Sequence, residues 1–282
     1  MRLAQIGLTL LALCLAFPAT TEGKPLSDKK SDGPKKFAPK FYAFLNGVSF
    51  GPPEKEAETL KKLGFAGVSQ VNGRNLKERV AAYEKAGLRV LSIYLNVNDR
   101  PIRKEQVEPL KNRGAMIELT VNRWGPKTVE AVRKTAEMAA KLKIRVALYP
   151  HHRNSVETMP QAMKLIAEVK HDNLGVMFNL CHFLKNEKLE TLEGALEKAG
   201  SRLFAVTTCG AQIGGSNWGQ LIQTLDRGNF PQERLFGALK KLKFQGPVGL
   251  QCYAIKGDKL ENLKRSMAKW KQVMKGVETG TN

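Results

Sequence analysis

One pattern constrains this chain more than any other. From Phe41 onward a short apolar strand, a polar loop and a helix with apolar spacing near 3.6 follow one another, and the unit recurs eight times. The strands are expected in "FYAFLNGV", "FAGVSQV", "LRVLSIYLNV", "AMIELTV", "IRVALYP", "LGVMFNL", "LFAVTTC" and "PVGLQCY". Helices are expected between them, among them "PEKEAETLKKLG", "NLKERVAAYEKAG", "EQVEPLKNRG", "KTVEAVRKTAEMAAKLK" and a helix over Glu157–Lys170. Gly64, Gly87 and Gly114 stand where a helix needs a left-handed C-cap. Eight alternations over about 235 residues predict an α/β chain folded as one (β/α)8 TIM barrel. A doubly wound open sheet is the runner-up, but the Gly-rich phosphate turn that usually follows its first strand is missing.

A parallel barrel turns alternate strand residues inward and gathers chemistry at the strand C-termini. Assigning the apolar phase outward puts Leu91, Ile93, Leu95 and Val97 toward the helices, with Ser92, Tyr94, Asn96 and Asn98 inward. The same rule turns Glu118, Thr120 and Asn122 inward, as well as Arg145, Ala147, Tyr149 and His151, then Met177 and Asn179, and finally Gln251 and Tyr253. His182, just past its strand, can fold back over the mouth. The expected mouth therefore holds Asn96, Asn122, Tyr149, His151, Asn179, His182 and Gln251, a ring of groups that both donate and accept hydrogen bonds. Such a ring suits the hydroxyls of a sugar. Trp218, in a long glycine-containing loop, is placed to stack on a sugar face or simply to pack. Glu118 is ambiguous: it can pair with Arg145 on the neighbouring strand, or serve as an acid or metal ligand.

The ends of the chain differ in texture from the barrel. Residues 1–23 carry one basic residue, an apolar run and small or polar residues, which reads as a secretory signal peptide and predicts export to the periplasm or beyond. That run is too short for a stable membrane span. Residues 24–40 form an expected flexible basic tether, 41–275 the barrel and 276–282 a tail. The net charge of +20 invites a nucleic-acid reading. Yet the lysines are spread over helix exteriors without aromatic interleaving, so a solvated basic surface and no nucleic-acid partner are expected. Cys181, Cys209 and Cys252 are odd in number and lack C-x-x-C spacing, so buried free thiols are expected.

Three stretches, "VALYPHH", "NLGVMFNLCHFLK" and "LDRGNFPQERLFGALKKLKFQGPVGLQCY", resemble the xylose isomerase-like TIM barrels, a family of sugar isomerases and epimerases with AP endonuclease relatives. The resemblance runs from about Phe41 to Met274. It implies a sugar substrate, an enediolate intermediate and a divalent cation held by carboxylates. This chain departs from the pattern at each metal position. Asn179-Leu-Cys-His182 stands where the family tends to have Asp-x-x-His, Gln251 where it has Glu, Tyr149 before Pro150-His151 where Glu is common, and Ser69 in place of a Glu. Amides keep hydrogen-bonding geometry but remove the charge a hard cation needs. Two chemistries remain open: His151 and His182 as acid and base with Tyr149 helping, or a weakly held zinc-like ion on His151, His182 and Glu118. The expected function is isomerisation, epimerisation or keto-glycoside elimination on a carbohydrate or keto-sugar. The alternative is a carbohydrate-binding barrel that has lost the metal site and the chemistry.

Overall fold

A computed structural model describes residues 36–280, so the expected signal peptide and residues 24–35 of the expected tether lie outside the described residues. The strands are β1 Phe41–Phe44, β2 Gly67–Ser69, β3 Arg89–Val90, β4 Ser92–Val97, β5 Met116–Val121, β6 Arg145–Leu148, β7 Leu174–Asn179, β8 Leu203–Thr208 and β9 Val248–Leu250. The α-helices are α1 Pro53–Leu63, α2 Leu76–Lys85, α3 Pro126–Lys141, α4 Met159–Val169, α5 Leu180–Asn186, α6 Leu192–Ala199, α7 Trp218–Leu221, α8 Gln232–Lys241 and α9 Lys259–Thr279. All sheet pairings are parallel, in the order β3-β2-β1-β9-β8-β7-β6-β5-β4. β3 and β4 are two halves of the third barrel strand, interrupted only at Leu91. A bridge from Val71 to Ile93 carries the pairing across that break, so the sheet curls into a nearly closed barrel. The chain is a TIM barrel.

Two apolar shells hold it together. The larger lies between strands and helices and contains Ile93, Val97, Ile117, Leu119 and Val121. The smaller fills the barrel interior with Tyr42, Phe44, Leu91, Met116, Tyr149 and Met177 among others. Leu91 thus corrects the expected phase: the break in the third strand lets it point inward, as Ser92 does too. On the outer face the Phe41 ring stacks on Trp270 of α9 with centroids 4.1 Å apart. Such aromatic pairs contribute about 0.5–1.5 kcal/mol beyond the area they bury.

The expected helix "EQVEPLKNRG" does not form. The segment makes two 3-10 turns, Lys104–Gln106 and Glu108–Leu110, and Lys111 then leaves helical backbone at φ −54°, ψ 134°. Pro109 has no N–H to continue a ladder, which limits the segment to short turns. The α9 helix extends to Thr279, into the stretch read as a tail from 276. Among the described residues no helix is long and apolar enough to cross a membrane. Cys181, Cys209 and Cys252 are buried and free.

Candidate active site

The C-terminal ends of the strands surround a cavity of about 580 Å³. Tyr149 and His151 reach it from the chain beyond β6, His182 from the first turn of α5, Gln251 from the end of β9, and Trp218 from the start of α7. The structure brings these five expected residues together. Asn179 does not line the cavity; it is buried at the end of β7 with its Oδ1 accepting from the Cys181 thiol at 3.2 Å. Asn96 and Asn122 are corrections. Asn96 is exposed and donates its amide to Thr120 Oγ1 at 2.8 Å, while the exposed Asn122 offers only its backbone carbonyl, to Ser155 Oγ. Neither lines the cavity, because the ends of β4 and β5 run past it into solvent.

Asn46 and Gln70, which the sequence reading did not select, complete the wall. Asn46 Nδ2 donates to Gln251 Oε1 at 2.7 Å and to Gln70 Oε1 at 3.3 Å. Gln251 Oε1 also accepts the backbone N–H groups of Cys252 and Tyr253, each at 3.0 Å. With three donors on its oxygen, the Gln251 amide is oriented, and its Nε2 turns to the Tyr149 hydroxyl at 3.4 Å. Burial holds the Tyr149 phenol well above the ordinary tyrosine range, so it keeps its proton. Beneath the wall, the Gln70 N–H donates to Ser92 Oγ at 2.8 Å, and Ser92 Oγ donates to Glu118 Oε1 at 2.5 Å.

Glu118 does not pair with Arg145. Its partner is Ser92, its second oxygen is buried without one, and burial pushes the carboxyl up to about 7. Parallel register explains the miss: Arg145 lies opposite Met116, two residues nearer the start of the strand, while Ala147 is the residue opposite Glu118. Asp226 likewise faces away from the cavity, bonding Arg265 of α9.

The two histidines are set by one residue. His151 and His182 lie with ring centroids 4.2 Å apart. The His152 N–H donates to His182 Nδ1 at 3.2 Å, so that nitrogen carries the lone pair and Nε2 carries the proton. The His152 carbonyl takes a hydrogen bond from His151 Nδ1 at 2.8 Å, so there Nδ1 carries the proton and Nε2 the lone pair. Burial lowers both from the ordinary histidine value, His182 to about 2, and the neighbouring imidazoles push His182 down further. The pair is therefore neutral and complementary: one ring is a base at Nε2, the other a donor at Nε2. Val156 and Val121 anchor the turn that presents His152, through His151 N–H to Val156 O at 3.1 Å and Ser155 N–H to Val121 O at 3.0 Å. Trp218 closes the side, its ring 5.1 Å from His182 and 5.8 Å from the His152 ring.

A sequence model of the family described as xylose isomerase-like TIM barrel matches residues 123–273, more than half of the chain. The chain belongs to that family. A comparison with curated proteins finds no match. Among solved structures, D-psicose 3-epimerase from Clostridium cellulolyticum H10 superposes with a TM-score of 0.68 at 16% identity, over 85% of this chain and 99% of the epimerase. The 3-keto-D-glucoside 4-epimerase of E. coli gives 0.67 at 17% identity, over 83% and 99%. A probable 3-DHS dehydratase of Bacillus anthracis gives 0.66 at 14% identity, over 82% and 98%. At such identities the likeness is one of fold.

Within this xylose isomerase-like barrel the residues present do not fit a carboxylate-held cation. Gln251 spends its only oxygen on three donors and points an NH2 at Tyr149. Asn179 engages its oxygen with Cys181 and leaves its Nδ2 buried and unpartnered. Hydrogen-bond donors thus occupy the places where a cation needs oxygen lone pairs. Among the described residues no three His, Cys, Asp or Glu side chains are grouped to hold a metal ion, so His151, His182 and Glu118 do not form a ligand set.

Proposed function

We propose that this protein is an exported enzyme acting on a sugar or keto-sugar, moving a proton at a carbon next to a carbonyl through an enediolate. The observation that carries the proposal is the complementary pair of neutral histidines over an amide-lined cavity. His151 Nε2 takes the proton from the carbon. The C–H electron pair becomes the new C=C bond, and the carbonyl oxygen gains the charge. His182 Nε2–H meets that oxygen, with the Tyr149 hydroxyl as a second donor. Returning the proton to the other face gives epimerisation. Returning it to the former carbonyl carbon, while the hydroxyl on the deprotonated carbon passes its proton to the ring that protonated the enediolate oxygen and becomes the new carbonyl, gives isomerisation. Loss of a β-substituent gives elimination. Neutral amides at Asn46, Gln70 and Gln251 suit hydroxyl groups, and Trp218 offers a ring face to the sugar.

The test is turnover of 3-keto-glycosides and ketohexoses by purified protein, with His151→Ala and His182→Ala beside the wild type. General acid–base groups typically contribute about 10²–10⁴-fold, so each variant is expected to lose at least 100-fold in kcat. Burial holds this base below the ordinary histidine value of 6.5, so the acid-side fall in kcat is expected to lie at lower pH than for a free imidazole. Undiminished turnover in both variants refutes the histidine chemistry. A second reading rests on the missing carboxylates: the barrel binds sugar without reacting. Saturable sugar binding with no turnover of any keto-sugar would establish it.

A further inference from the structure

The opposite end of the barrel has a second cavity, about 460 Å³, lined by residues at and just before the strand starts. Four cations border it: Lys40 ahead of β1, Arg89 opening β3, Lys143 in the turn after α3, and Arg145 opening β6. Among the described residues its lining includes no aspartate or glutamate. Arginines elsewhere, Arg79, Arg113, Arg202, Arg234 and Arg265, each hold a carboxylate. None of the four cations at this cavity has one among the described residues. The common role for Lys and Arg at this end is to neutralise helix C-termini. Lys143, next to the end of α3, fits that role, but the two arginines do not. Arg145 shares the inward phase of Ala147 and Tyr149, and Arg89 that of Leu91, all of which belong to the interior shell. The Arg145 guanidinium lies 4.8 Å from the centre of the Phe204 ring, which leaves its N–H edge available. Arg89 Nη1 lies beside Gly114, 3.6 Å from where a β-carbon there would sit, an ordinary contact.

We propose that this cavity binds the phosphate-bearing part of a small molecule, with Arg89 and Arg145 as the clamp and Lys40 and Lys143 adding charge at its rim. Four positive charges without a carboxylate partner among the described residues repel one another, and a multiply charged oxyanion relieves that repulsion. Guanidinium groups match phosphate oxygens two at a time, whereas lysines act as point charges. The site is separate from the sugar cavity and does not depend on the reaction proposed there.

The test is calorimetric titration of the full chain with pyrophosphate at about 0.15 M salt, where attraction to scattered surface charge is largely screened. One-to-one saturable binding is expected, weakened at least about tenfold by Arg145→Gln and by Arg89→Gln. Lys40→Gln/Lys143→Gln changes only exposed side chains and keeps the test open if an arginine variant does not fold; it is expected to weaken binding several-fold. Lys55→Gln/Lys127→Gln, which removes the same charge at the other end of the barrel, is expected to leave affinity unchanged. Absence of saturable heat overturns the proposal, as does equal weakening by the Lys55/Lys127 variant. Binding of long-chain polyphosphate with none of pyrophosphate overturns it too, since that would reflect the diffuse +20 charge of the chain.

Discussion

Glu118→Gln isolates the energetic cost of one buried acid. Glu118 is fully buried, with one oxygen on Ser92 and the other without a partner. Burial raises its carboxyl from 4.5 to about 7. The unfolded chain releases this proton as pH passes 4.5, whereas the folded chain keeps it until about 7. Across that window the folded state binds more protons, so stability falls as pH rises. At about 1.36 kcal/mol per pH unit the full loss is roughly 3 kcal/mol, present above pH 7 and absent below 4.5. A glutamine resembles the protonated acid: its oxygen still accepts from Ser92, and its NH2 is as unpartnered as the acid O–H. The variant and wild type are therefore expected to melt together at pH 4.5, with the variant more stable by roughly 3 kcal/mol at pH 8. At about 2–4 °C per kcal/mol for a domain of this size, the Tm gap is about 6–12 °C. His182 titrates in the opposite sense. Its folded value lies below the unfolded one, so acid below pH 6.5 destabilises the fold. That contribution is common to both proteins and cancels in the difference. Thermal melts of both proteins from pH 4.5 to 8 measure it, and a difference in Tm that stays flat across the window refutes the reasoning.

Two further predictions concern positions the fold uses without chemistry or has changed. Gly67 has φ 147°, and a β-carbon there would lie 1.9 Å from the Arg89 carbonyl oxygen, so Gly67→Ala must part β2 from β3. A loss of more than about 3 kcal/mol is expected; a Tm within about 2 °C of wild type would contradict the clash. In Asn179→Asp/Gln251→Glu, carboxylate oxygens replace the two amide NH2 groups described above. Elemental analysis after dialysis against Mn²⁺ is expected to find about one ion per chain in this variant and none in wild type; equal content would contradict the donor-orientation argument.

Strand phase was the most legible part of the site. Period-two alternation is a local property, and it brought Tyr149, His151 and Gln251 to one cavity across about a hundred residues of sequence. It failed where local pattern ends. Leu91 lies at a break in its strand, and nothing apolar or polar in "LRVLSIYLNV" marks the change of phase. Asn96 and Asn122 have the right phase, but their height on the barrel carries them beyond the cavity. Glu118 and Arg145 also share the inward phase, yet register separates them by about two residues along the strand. Asn46 and Gln70 were visible as polar residues at the ends of "FYAFLN" and "GVSQ". They lie on the first two strands, whereas the stretches that carry the family resemblance lie on strands five to eight.

The turn at His152 has a consequence for how such a site can change over time. Which ring has its lone pair at Nε2 and which its proton is written in the main chain of one residue, its N–H on one imidazole and its carbonyl on the other. A side-chain exchange at that position leaves the assignment intact. Rotating both peptides that flank it would exchange donor for acceptor at each ring, reversing base and donor without altering a single letter of the sequence. Two barrels with identical histidines can therefore differ in which ring is the base, and only their backbones would tell them apart.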